Sequence, residues 1–346
     1  FIANQPFATP EKVVDYMGAM QAQDFAGALW SIGLRTKDAT IKTVEKAISD
    51  RKIVRSWPMR GTLHFVASEN LRWMIKLLAP RIIAGSAGRH KQLGLDESVF
   101  LKSLKLLEKA LADGKQLTRD EVYELLEQVG ISCSQQRGIH IIGHLARLGY
   151  ICHGSHLGKQ ATYVWLDSWL PQVIPISKEE ALRRLASLYF RSHGPATLKD
   201  FVWWTGLKVT EAKEAIQLVR DSFIEKQIEG HTFWMVPELL DMKRNKESIY
   251  LLPGFDEFML GYTDRRLIMD PNHLPRIVPG NNGMFMSTIV INGRVEGTWK
   301  RTITKNKIAV ELTPFQANAN FDKRSKRELD RYAAFWGKEG VQILTV

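Results

Sequence analysis

The chain has 346 residues, 45% of them hydrophobic, and 48 Lys+Arg against 37 Asp+Glu, a net charge of +11. That length suits about two domains or several small modules around shared cores, and the basic excess favours polyanionic partners such as nucleic acid or an anionic membrane surface. Two cysteines, Cys133 and Cys152, exclude a disulfide framework and point to a reducing cytosol, and no apolar run reaches the ~18 residues of a spanning helix. The first residues lack a basic-then-apolar leader pattern, and a start at Phe1 leads us to expect further residues upstream.

Thr9-Pro10 predicts a helix start, with Val13, Val14, Met17 and Met20 at helical spacing. A second helix fits Ala26 to Arg35, and a third opens at Thr40 with Ile41, Val44 and Ile48 on one stripe. Ile53 to Trp57 and Thr62 to Val66 are β-type runs joined across Pro58-Met59-Arg60-Gly61, a hairpin signal. The same order recurs. Residues 96–113 are helical, Thr118-Arg119-Asp120-Glu121 forms a capping box, Gln136 to Gly149 is a helix, and two short strands flank a turn between Cys152 and Ala161. A third copy runs through Lys178 to His193, Leu198 to Thr205 behind Thr197, Glu211 to Asp221 behind Thr210, and a hairpin over Glu229-Gly230.

Three helices followed by a two-stranded wing, three times over, predict an α+β chain of three tandem winged-helix modules at 1–95, 96–176 and 177–246. From 247 to 346 the texture is β-rich: Ile249 to Leu252, Phe285 to Ile291, Arg294 to Ile303 and Lys307 to Leu312, with turns at Asn292-Gly293 and Lys305-Asn306. Asp322 to Glu339 reads as an amphipathic helix and Val341 to Thr345 as a last strand, so a small barrel or curled sheet is expected there, with 269–283 as a mobile loop. Net charge is +7, −1, +2 and +3 over the four stretches, so the excess gathers at the two ends of the chain. That polarity predicts a phosphate-facing surface built from both ends.

Several motifs in this order resemble the bacterial winged-helix DNA glycosylases of the AlkZ/YcaQ type. They are Met20-Gln21-Ala22-Gln23-Asp24, Met59-Arg60-Gly61-Thr62-Leu63-His64, Pro253-Gly254-Phe255-Asp256-Glu257 with Leu260-Gly261-Tyr262-Thr263-Asp264-Arg265, and Asn292 to Arg301. The resemblance spans about residues 10 to 345. It implies tandem winged helices around a concave DNA channel and a catalytic Gln-x-Gln, here Gln21 and Gln23. Amides rather than carboxylates at these positions put the chain on the AlkZ side. The AlkZ side also implies crosslink or bulky-adduct substrates and an open channel in place of deep base flipping.

An amide cannot take a proton from water at neutral pH, but it can hold a water in line with the sugar carbon. Neutral leaving bases ordinarily need a general acid, whereas an N7-alkylguanine or N3-alkyladenine already carries the positive charge that lets it depart neutral. The pair therefore points to hydrolysis of cationic alkylpurines. On a regular helix residues two apart diverge by about 200°, so both glutamines can face one pocket only if the helix ends near Gln21 and the chain becomes extended.

Arg55, Arg60 and His64, on or beside the first wing, are candidate DNA contacts, as are Arg294, Lys300 and Arg301 on the Asn-Gly hairpin, and Arg265. A solvated hairpin face, and pairing of Arg265 with Asp264 or Asp256, are the alternatives. Trp57 and Asp256 are pocket candidates. Asp256 and Glu257 are the carboxylates best suited to an orthodox general base, with turn stabilisation as the alternative. His140 and His144 have metal-ligand spacing, but without a Cys-x-x-Cys or the metalloprotease Glu no metal site is expected, and no motif calls for a cofactor. The expectation is a monofunctional, monomeric, cytoplasmic and nucleoid-associated glycosylase with duplex DNA containing alkylated purines as its partner and no membrane association. The alternatives are a non-catalytic winged-helix DNA-binding protein or transcriptional regulator, and a protein-binding scaffold.

Overall fold

A computed structural model describes residues 2, 7–242, 248–305, 307–316 and 321–344, the side chains of 281 and 321–324 excepted. Pro10 opens helix α1 (Pro10–Met17), which buries Val13, Val14 and Met17. Gly18, at φ 76°, ends it. The helical spacing does not carry on to Met20: Met20–Gln21 is strand β1. Asp24 then caps α2 (Phe25–Arg35) by accepting from Gly27 N–H, and Thr40 and Thr43 form a reciprocal capping box for α3 (Ile41–Ser49). Strands β2 (Ile53–Met59) and β3 (Thr62–Ala67) follow.

Next comes α4 (Ser68–Gln92), a 25-residue helix outside the expected elements. Pro80, Gly85 and Gly88 interrupt its pattern, and only its first half is buried on one face. The second set is α5 (Glu97–Ala110), β4 (Leu117–Thr118), α6 (Arg119–Gln128), α7 (Arg137–Arg147), β5 (Ile151–His153), β6 (Thr162–Trp165) and α8 (Leu166–Trp169). The Thr118/Glu121 capping box is present. The third set is α9 (Lys178–His193), α10 (Leu198–Thr205), α11 (Val209–Gln217), β7 (Ile224–Ile228) and β8 (His231–Met235). Helix α11 begins behind Lys208, two residues before the expected Thr210 cap. The C-terminal part holds β9 (Ile249–Leu252), α12 (Glu257–Leu260), α13 (Leu274–Ile277), β10 (Ser287–Ile291), β11 (Arg294–Ile303), β12 (Ile308–Pro314), α14 (Phe321–Phe335) and β13 (Val341–Leu344).

The hairpins do not remain separate wings. The first two merge into one six-stranded sheet in the order β1-β3-β2-β5-β6-β4, joined where Arg55 pairs with His153. Strand β2 is thereby interior and buried along its whole length. The third hairpin stays a two-stranded ribbon. The C-terminal strands form an open sheet, β13-β12-β11-β10-β9, antiparallel except for β12 with β13. Helix α14 packs against both of its edge strands, which fits a curled sheet rather than a closed barrel. Asn292 (φ 50°) and Gly293 (φ 83°) make the expected tight turn. Asn306, of the other expected turn, lies outside the described residues. The 269–283 stretch contains α13 and sends Ile277 and Val278 into the core.

Three apolar cores draw on distant parts of the chain. One packs α1, α2 and α3 against the C-terminal sheet and α14. Fully buried Trp30 is its pivot: Nε1 donates to Leu251 O at 2.7 Å and the ring meets Tyr332 and Phe335 edge-on. Large buried side chains of this kind each contribute on the order of 2–3 kcal/mol. The second core joins the first half of α4 to α9, α10 and α11, and the third lies within α5 to α7 and takes in Trp57 and Leu63. The N-terminal helices thus reach the C-terminal sheet directly, and their seam carries the glutamine pair.

Candidate active site

Strand β1 sets Gln21 opposite His64, and the chain stays extended as Ala22 N–H donates to Leu63 O at 2.8 Å. It turns helical only after Asp24. The condition for two glutamines on one side is met, because α1 ends four residues before Gln21. Gln21 is half-buried, and its Oε1 is buried without a hydrogen bond from the protein. Gln23 is exposed; its Oε1 accepts from Leu63 N–H at 3.3 Å, which leaves the amide NH2 to donate elsewhere.

The motif is held from three directions. Arg55 Nε and Nη2 both donate to the carbonyl of Ala22, at 3.0 and 2.7 Å, and its guanidinium lies over the Phe25 ring. Arg55 is only 8% exposed, so it is a clamp on the peptide between the glutamines rather than a surface contact. Burial brings it down to about 10, still cationic at neutral pH. Arg301 reaches from β11 to Asp24 Oδ2 at 2.7 Å, immediately after Gln23. From below, Glu257 Oε1 accepts Gln21 N–H at 3.0 Å, across 236 residues of sequence.

Glu257 is itself enclosed. Its other oxygen accepts from Trp204 Nε1 at 2.9 Å and lies 3.5 Å from His193 Nε2. A Cβ at position 261 would run into the His193 ring, so this approach of α12 to α9 requires Gly261. Burial alone would raise the Glu257 carboxyl; the adjacent His193 and the charge of Arg60 reverse that, and it titrates at about 2. Sequence reasoning ranked Glu257 as a possible base but gave no sign that it holds the Gln21 backbone, and it did not single out Trp204 or His193.

His64, expected at a DNA surface, is wholly buried. Its Nδ1 lies 3.0 Å from Thr62 O and its Nε2 3.2 Å from Arg60 Nη2. Burial and the Arg60 charge push it down to about 3. The ring is therefore neutral, donates from Nδ1 and accepts Arg60 at Nε2. Asp256, expected in a pocket, is instead 2% exposed in a two-pronged ion pair with Arg35 at 2.8 and 2.9 Å. It also accepts Ser31 Oγ–H and caps α12 at Phe258 N–H, so turn stabilisation is its role. Trp57 is 6% exposed, packed in the third core and stacked on His153. It became interior when β2 became a central strand.

Arg265 pairs with neither expected carboxylate. Its Nε donates to Met259 O at 2.7 Å and its guanidinium covers Phe285, while Asp264 binds Arg266. Arg294 and Lys300 are exposed, within 3.9 Å of Glu296 and 3.6 Å of Glu311 respectively. Of the seven expected DNA contacts, only these two are exposed; Arg60, Arg265 and Arg301 are partly so, and Arg55 and His64 are buried. His140 and His144 gather with His90 around Phe100 as a ring cluster.

The family described as DNA glycosylase AlkZ-like matches residues 14–335 of this chain. The interstrand DNA cross-link repair glycosylase of Streptomyces sahachiroi is 26% identical over 336 residues, which cover 90% of this chain and 85% of that protein. The solved structure of the Streptomyces sahachiroi DNA glycosylase AlkZ has a TM-score of 0.81 at 22% identity, over 100% of this chain and 95% of its own. At that identity the likeness is one of fold.

Proposed function

The chain belongs to the AlkZ-like DNA glycosylase family, and we propose that it hydrolyses the N-glycosidic bond of cationic alkylpurines in duplex DNA with a water positioned by Gln21 and Gln23. The observation that carries this is the Gln21 amide oxygen, buried and unpartnered in the protein beside an exposed second amide. A buried acceptor without a donor is uncommon, and a water that donates to Gln21 would satisfy it. Gln23 would orient the same water through its amide NH2. The water would then attack C1′ as the bond to the cationic base breaks; the base leaves neutral, the water's proton passes to solvent, and an abasic site remains.

Glu257 does not suit the part of general base. Both of its oxygens are engaged, it is 2% exposed, and it is too acidic to take a proton. It acts as a positioning residue, setting Gln21 from beneath. Its fixed negative charge also favours the positive charge that develops on the sugar. The three helix-and-hairpin sets, at 1–95, 96–176 and 177–246, would act as winged helices that grip the duplex, with 247–346 completing the site. Lesions too large to flip, including the interstrand crosslinks named for the Streptomyces relative, extend the same reading. We take the enzyme to work as a cytoplasmic, nucleoid-associated monomer.

The test is base release from a duplex carrying one N7-methylguanine, by wild type and by the Gln21→Ala/Gln23→Ala double variant. Release by wild type and its loss in the variant, with DNA affinity retained, is the expected result. Release undiminished in the variant refutes the water-positioning pair. Binding without release by wild type refutes this substrate, and a crosslinked duplex becomes the next one to try.

A further inference from the structure

A groove of about 540 Å³ runs between the β2–β3 turn, the middle of α4 and the ends of α7 and α10. Its walls carry Arg60, Arg81 and Arg147, and among the described residues no carboxylate lines it. Burial lowers the pKa of both Arg60 and Arg147, so these guanidinium groups have given up hydration. Their hydrogen-bond partners are neutral: Arg60 meets His64, Arg147 Nη2 lies 3.5 Å from Gly61 O, and Arg81 Nη1 donates to Gly206 O at 2.7 Å. Arg147 Nε is buried without a partner. Glu257 offsets part of the Arg60 charge from within the protein, but the hydrogen bonds of all three guanidinium groups go to neutral acceptors, and three such cations around one groove make an anion site.

The floor is shaped for something extended. Arg81 and Gly85 line the groove, and Gly88 continues their stripe of α4 just beyond it, at i, i+4 and i+7. A Cβ at Gly85 or Gly88 would meet nothing within 4 Å, so packing inside the protein does not require glycine at either place. Glycine weakens a helix relative to alanine, and it serves where another backbone must come close. The groove is linked to the glutamine pair through Arg60, which bonds His64, the strand partner of Gln21.

We propose that this groove seats the phosphodiester backbone next to the lesion, with Arg60, Arg81 and Arg147 on the phosphates and Gly85 and Gly88 admitting the strand. None of these contacts except Arg60 was foreseeable from sequence. The proposal rests on the glycosylase reading and adds the path of one strand to it.

The test measures affinity for a fluorescent duplex with a single uncleavable abasic analogue, by anisotropy over a KCl series. The proteins are wild type, Arg81→Ala/Arg147→Ala, Gly85→Glu and Lys105→Ala. Gly85→Glu enters open space on a helix, so it keeps the fold while placing a carboxylate among the arginines. Lys105→Ala makes the same charge change on exposed α5. The double variant should bind about tenfold or more weakly, with a salt slope shallower by about 2. Gly85→Glu should weaken binding well beyond Lys105→Ala. If both groove variants match the Lys105→Ala control while wild type binds tightly, the groove proposal is wrong and the glycosylase reading survives. If wild type binds no duplex, both fall.

Discussion

Glu257→Gln separates a residue that holds Gln21 from one that takes a proton. In the wild type the two carboxylate oxygens face two N–H donors, Gln21 N at 3.0 Å and Trp204 Nε1 at 2.9 Å. A glutamine offers one oxygen and one NH2, so whichever way its amide turns, one of those donors faces another donor. A buried donor left unsatisfied costs about 1–3 kcal/mol. The substitution also removes the anion near Arg60 and His193. A pKa of about 2 against an ordinary 4.5 means that the folded protein favours the charged form by roughly 3 kcal/mol. We therefore expect Glu257→Gln to lose about 2–5 kcal/mol in urea denaturation at pH 7. Single-turnover base release per folded molecule should fall by no more than about tenfold, since the amide oxygen can still accept Gln21 N–H. A general base would behave oppositely, with stability nearly unchanged and release reduced by about 10²–10⁴-fold. That second pattern would refute the positioning role.

Asp256→Asn should cost about 3–5 kcal/mol by leaving Arg35 buried beside a neutral partner, without changing base release by the folded fraction; equilibrium denaturation checks it, and a variant as stable as wild type would contradict the ion-pair reading. Acid should destabilise the protein through His64. Its folded pKa of about 3 lies below the ordinary 6.5, so the unfolded chain binds the extra proton first. This contribution is fully present well above pH 6.5 and is lost as pH falls towards 3, about 2 kcal/mol of it between pH 6.5 and 4.5. His64→Gln should flatten that part of the stability profile, and an unchanged slope would argue against the buried neutral ring. Arg301→Ala should cost at most about 1 kcal/mol, because its partner Asp24 is partly exposed. Base release should drop while duplex affinity holds. A parallel loss of affinity would return Arg301 to phosphate contact.

The site was legible to different depths. The family resemblance singles out Gln21 and Gln23, and helix geometry adds that they can share a side only on an extended backbone, which β1 begins at Met20–Gln21. The capping boxes at Thr40 and Thr118 and the Asn292-Gly293 turn were equally local, since each is decided by groups within four residues. The wing residues misled. Arg55 and His64 as DNA contacts and Trp57 as a pocket residue all presuppose an accessible hairpin, because alternation within one hairpin cannot say whether another strand will pair beside it. Helix α4 escaped because Pro80 and two glycines break its pattern, while its first half is held by packing against α9 and β2.

What sequence by itself determined was short-range: where helices start and stop, which strands turn back on each other, that the pair proposed to hold the water is amide rather than acid, and the motif order that carries the family. The tertiary structure decided which charges are free. Arg55 and Arg301 became clamps on the glutamine segment, Asp256 became half of a buried ion pair, and Glu257 became the acceptor for Gln21 across 236 residues. A charged side chain's role depends on the dielectric around it and on the partner within about 4 Å, and both are set by long-range packing that no local pattern encodes.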